Sequence, residues 1–124
     1  MKGLNIWDNE PNRLEFTVHG FMCKVERIDK LWHLCGYIMV EDTHPWYAKD
    51  YGELSDVDVH GGLTYRGLFP TYSWLGFDCA HAGDLIPSVV KMLPSQRERT
   101  TYRDMGYVVN ELIKLANQAK EAQE

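Results

Sequence analysis

"TTYRDMGYVVNELIKLANQAKEAQE", residues 100–124, decides the fold of this 124-residue chain. Met105, Val108, Val109, Leu112, Ala116 and Ala119 recur there at three- and four-residue spacings. That is the period of an α-helix with one face turned to a core. Thr101 followed by Asp104 resembles a capping box, so the spacing predicts a helix over about 101–121. Gly106 near its start weakens the helix but would permit close approach to a neighbouring layer.

Upstream the period changes from helical to alternating. Between Leu14 and about Arg27, Phe21, Cys23 and Val25 share one face against Lys24 and Glu26, with His19 and Gly20 as an interruption. "LWHLCGYIMVE", residues 31–41, is a stronger strand, with Trp32, Leu34, Ile38 and Val40 on one face and Cys35, Tyr37 and Met39 on the other. A long loop, "EDTHPWYAKDYGEL" (41–54), follows. A third strand is expected at about 56–65, then a turn near "RGLFP" and a fourth strand, "YSWLGFD" (72–78). Residues 1–13 read as an irregular lead-in. Strands first and one long helix last indicate a single α+β domain: a mostly antiparallel sheet packed against a C-terminal helix.

Composition narrows the functional classes. The formal charge is −5, which disfavours extended nucleic acid, whose backbone is bound mostly through Lys and Arg. No long uncharged apolar run suggests a membrane span, and the first residues show no secretion signal. Three widely spaced cysteines, Cys23, Cys35 and Cys79, without a CxxC, fit reduced thiols in a cytoplasmic protein rather than a disulfide framework. Four tryptophans and seven tyrosines leave room for apolar surface that a homo-oligomer would bury.

Two segments carry the groups suited to chemistry. In "SDVDVHGGLTYRG" (55–67), a strand would project Asp58 and His60 to the same side, about 7 Å apart. Gly61 and Gly62 would then allow a turn or a ligand's close approach to bare backbone. In "WLGFDCAHAGDL" (74–85), Asp78, His81 and Asp84 recur every third residue among small neighbours, and a tight helical turn would align them. An imidazole among carboxylates is suited to proton transfer near neutral pH. The plainer alternatives are a solvated strand face, a turn-forming Asp78, a helix-capping Asp84 and a structural His81. A divalent metal held by His and Asp fits the residue types, but no HxxxH-like spacing requires one. For an anionic ligand, Lys49, Arg66 and the arginines of "QRERTTYR" are the nearby cations. Tyr65, with Trp46, Tyr47 and Tyr51, could stack on a base.

Three stretches, "GYIMVEDTHPWYAKDYGELSDVDVHGGLTYRG", "WLGFDCAHAGDLIP" and "YRDMGYVVNELIKLANQ", resemble a family of small proteins common in bacteriophages and prophages. The likeness covers about residues 36–118. Lys49, Asp50, Asp58, His60, Gly61, Gly62, Asp78, His81 and Asp84 are the family-like positions. The resemblance implies phage origin, the cytoplasm of an infected bacterial host as the site of action, and anti-defence roles that target nucleotide signals.

The expected function is accordingly hydrolysis of a small nucleotide-like ligand. His60 and His81 would exchange protons with water and leaving group, Asp78 or Asp84 would orient an imidazole, and Lys49 would meet phosphate. Asp50, Asp58, Gly61, Gly62, Tyr65 and Arg66 would line the ligand. The alternatives are sequestration of such a signal without reaction, and inhibition of a host defence protein through the loop around residues 44–51.

Overall fold

The computed structural model describes residues 3–124. Five strands form one antiparallel sheet: β1 (Arg13–Val18), β2 (Phe21–Arg27), β3 (Leu34–Glu41), β4 (Tyr65–Leu68) and β5 (Tyr72–Asp78), in the order β1-β2-β3-β5-β4. A short helix, α1 (Pro87–Met92), and a long one, α2 (Met105–Ala122), complete the α+β fold.

The β1–β2 hairpin follows from two residues. His19 and Gly20, at φ 53° and 84°, are both left-handed, as a two-residue turn needs to match the twist of its strands. Val18 therefore lies opposite Phe21, and the register carries Phe16 to Cys23 and Leu14 to Val25. The alternation of Cys23 and Val25, both buried, with partly exposed Lys24 then places one face against α2.

That core joins Cys23, Val25, Leu34, Ile38, Val40, Leu75 and Phe77 of the sheet to Val108, Leu112, Leu115, Ala116 and Ala119 of the helix. Burying each large aliphatic or Phe side chain contributes about 1.5–3 kcal/mol. The close approach between layers occurs at Gly36. A Cβ there would sit 2.7 Å from the Phe77 ring and 3.1 Å from Val108. Gly106 does not serve this purpose: a Cβ on it would meet only Asp104, at 3.6 Å.

Three further expectations are corrected. The helix begins at Met105, not 101; Asp104 is its N-cap and accepts from the Tyr107 amide. Thr101 instead pairs with the chain around Asp84, donating to Gly83 O and accepting from Leu85 N. Trp32 lies outside β3 with φ 73°, and does not share the face of Leu34.

The largest correction concerns residues 56–63, which form turns rather than a strand; pairing begins only at Tyr65. Backbone polar groups outside a strand ladder take other partners, and here the side chains of α2 supply them. Gln118 accepts from Asp58 N and donates to Asp58 O, both at 2.8 Å, while Glu111 accepts from His60 N at 2.8 Å. Leu54, Val59 and Leu63 anchor the segment to the core. The lead-in is also more ordered than expected: Ile6–Asp8 makes one 3-10 turn. No helix among the described residues is long and apolar enough to cross a membrane.

Candidate functional site

The end of β5, the turn segment 56–63 and the first turns of α2 meet at Asp84. Its side chain is fully buried. It accepts from His60 Nε2 at 2.8 Å, Arg103 Nε at 2.8 Å and the His81 amide at 3.0 Å. Burial pushes this carboxyl up, but the hydrogen bonds from His60, Arg103 and the His81 amide outweigh it and hold the group below its ordinary value. Asp84 is therefore an ionised acceptor.

An acceptor-only carboxylate fixes the state of its neighbour. His60 must carry its proton on Nε2, toward Asp84. Its Nδ1 lies 2.8 Å from the Tyr107 hydroxyl, so in the neutral ring Nδ1 accepts and the phenol donates. Burial, with Glu111 nearby, raises the pKa of Tyr107 and keeps the phenol protonated. Arg103 also lies over the Tyr107 ring, 5.1 Å from its centre.

His81 forms the second pair. Its Nε2 is 2.9 Å from Asp78 Oδ1, and both side chains are about one-third exposed (33% and 34%). The angle falls outside hydrogen-bond geometry, so this buried nitrogen has an ion-pair neighbour but no aligned partner. The His60 and His81 ring centres are 5.8 Å apart. Gly61, at φ 68°, underlies the His81 ring so closely that a Cβ there would overlap it. Gly62, at φ 79°, faces open space. A 210 Å³ hollow runs from His81 and Asp84 to Gln96 and Thr100, beside α1.

The structure thus gathers His60, Gly61, Gly62, Asp78, His81 and Asp84 into one region. Asp58 lies at its rim, exposed and 3.6 Å from Lys114. Asp50, Arg66 and Tyr65 take other partners. Lys49 and Asp50 lie in the loop before the site, where Asp50 caps the Glu53 amide and Arg66 binds Ala48 O. Tyr65 packs edge-on against Tyr37, with its hydroxyl leaning toward Gly67. The cations bound within the cluster are Arg103 and Lys114, through Asp84 and Glu111.

Tyr107, Glu111 and Lys114 escaped the sequence reading, which followed only the apolar stripe of the helix, whereas Arg103 is one of the arginines of "QRERTTYR" named there as cations. A second stripe was present at Tyr107, Glu111, Lys114 and Gln118, spaced four, three and four. All four are half-buried beside the loop, as helical neighbours on one face should be. Among the described residues, no group of three or more His, Cys, Asp or Glu is arranged to hold a metal ion.

No protein-family model matches the chain, and no curated protein or solved structure matches it.

Proposed function

We propose that the protein is a phage-encoded hydrolase of a small nucleotide-type ligand, using general acid–base chemistry at the Asp84–His60–Tyr107 chain. One observation carries the reading: His60 is held between a buried carboxylate and a hydroxyl, at 2.8 Å on each side. A reactive group, an imidazole and an orienting third group within hydrogen-bond reach are the arrangement acid–base sites need.

In the imidazolium form His60 donates through Nδ1 to Tyr107 Oη, and the phenolic proton passes to the leaving oxygen. Ionised Asp84 balances the positive charge. His81, whose Nε2 faces Asp78, uses its other ring nitrogen to take a proton from the attacking water. The water oxygen bonds to phosphorus as the ester P–O bond breaks. Arg103 and Lys114, rather than Lys49, are the local cations for a phosphoryl group.

Sequestration without reaction is the second reading, favoured by the pairing of both His60 nitrogens and the 12% exposure of its side chain. The test incubates the purified protein with cyclic dinucleotides and ADP-ribose-type cyclic signals, then heats it and analyses the released ligand. Hydrolysis predicts altered ligand, lost in Tyr107→Phe and His60→Gln. Unaltered ligand with a raised melting temperature overturns hydrolysis in favour of sequestration. No effect with any member of the panel overturns both and favours a host-protein target. A chelator arm reports metal dependence.

A further inference from the structure

A second cleft of about 500 Å³ lies on the other side of α1 from the His81 hollow, with Val90 common to both walls. Trp7, Trp32, Lys30, Lys91, Arg97 and Asp8 supply its chemistry. Three cations stand against one carboxylate there, in a chain of formal charge −5. None of the three forms an ion pair among the described residues. Arg97 lies 5.6 Å from the centre of the Trp7 ring and reaches Asn5 Oδ1 at 3.3 Å.

The walls are held before any ligand arrives. Behind Trp7 and Trp32, the buried Arg27 pairs with Glu10 at 3.2 Å and donates to Tyr102 at 3.0 Å and to Trp32 O at 3.1 Å. Tyr102 in turn packs edge-on against Trp7 at 4.9 Å. Lys30 and Trp32 are fixed with φ of 69° and 73°. Bulky residues rarely adopt this conformation, which costs energy and persists where surrounding contacts impose it. Hydrogen bonds from Trp32 N to Ile28 O at 2.9 Å and from Ser88 N to Leu31 O at 3.2 Å tie that turn to β2 and α1. The outcome is an exposed indole, with Arg27 5.6 Å from its ring centre, in a cleft that Lys30, Lys91 and Arg97 also line.

We propose that this cleft binds a nucleoside phosphate, its base stacked on the indoles of Trp32 and Trp7 and its phosphates met by Lys30, Lys91 and Arg97. Indole faces accept any base, and cations without carboxylate partners lose no ion pair when a phosphate arrives. The site does not require the His60 chemistry and uses none of its residues.

The test is calorimetric titration of the full chain with ADP, with adenosine and inorganic phosphate as separate arms. ADP should bind, and each fragment alone should bind at least about ten-fold more weakly. Lys91→Glu and Trp32→Gly should each weaken ADP binding by about ten-fold or more, while Lys120→Glu, a matched charge reversal at an exposed position of α2 outside the cleft, leaves it unchanged. Lys91 is exposed on α1, so its variant retains the test if Trp32→Gly fails to fold. Absence of ADP binding, equal binding of adenosine, or full affinity in Lys91→Glu overturns the proposal. An equal loss of affinity in Lys120→Glu would trace the effect to net charge rather than to the cleft and likewise overturn it.

Discussion

The Tyr107 hydroxyl lies 2.8 Å from His60 Nδ1, although the two residues are 47 positions apart. Because Asp84 accepts at the opposite nitrogen, the phenol is the member of the Asp84–His60–Tyr107 relay that would pass a proton onward in the proposed reaction. Tyr107→Phe removes that oxygen and keeps the ring. Turnover of a cleaved ligand should fall about 100-fold or more, the usual scale for losing an acid–base group. Stability should fall by only about 1 kcal/mol, for one hydrogen bond. Single-turnover kinetics and urea unfolding read the two effects separately, and a loss of stability that accounts for all lost activity would remove Tyr107 from the mechanism.

The paired glycines have unequal tasks. Gly61 and Gly62 are both left-handed, so alanine at either costs about 1–2 kcal/mol of backbone energy. Only at Gly61 would the new methyl also strike the His81 ring. Gly61→Ala should therefore be the more destabilising and should move His81 away from Asp78, with activity lost. Gly62→Ala should stay near the backbone cost alone and keep its activity. Chemical-denaturation midpoints and the imidazole NMR signals of the two variants check the contrast.

Asp84 holds the region together as well as orienting His60. Asp84→Ala leaves His60, Arg103 and the His81 amide without their shared acceptor. Removing one partner from a buried ionic group costs about 3 kcal/mol or more. The melting temperature should fall accordingly, with protease sensitivity rising around residues 56–63. Asp78→Ala, at a one-third exposed carboxylate, should change stability by less than about 1 kcal/mol.

Much of this architecture was legible where a local period and the tertiary environment agree. The apolar stripe of α2 and the strand Tyr72–Asp78 are continuous with the core, and His19–Gly20 has the chemistry of a tight turn. The alternating Val57 and Val59 misled because alternation reports which side chains are apolar, not where backbone hydrogen bonds go. Gln118 and Glu111 supply to Asp58 and His60 what an adjoining strand would have supplied. Asp78, His81 and Asp84 were visible as a cluster because turns keep near neighbours together. Tyr107 was not, since its role depends on how α2 is rotated against the loop.

Two other histidines set the response to acid. His44 is buried, with Nε2 donating to Ala119 O at 2.7 Å and Nδ1 accepting from Trp46 N at 2.9 Å. A second proton would have to sit on Nδ1, facing that amide. His33 is buried with Nδ1 unpartnered. Burial lowers the pKa of both, against a smaller opposing pull from Ala119 O on His44 and from Asp78 and Asp84 on His33. The unfolded chain, with ordinary imidazoles near pH 6.5, therefore binds protons before the folded chain does. Their contribution to stability is fully present above that pH and is lost as pH falls toward the lowered folded values, by up to about 1.4 kcal/mol per pH unit for each group. Urea unfolding at about pH 8 and about pH 5.5 should show the loss, and His44→Gln should reduce the pH dependence by one group's share. An unchanged slope in His44→Gln would mean that His44 titrates alike in the folded and unfolded chains, contrary to its double hydrogen bond.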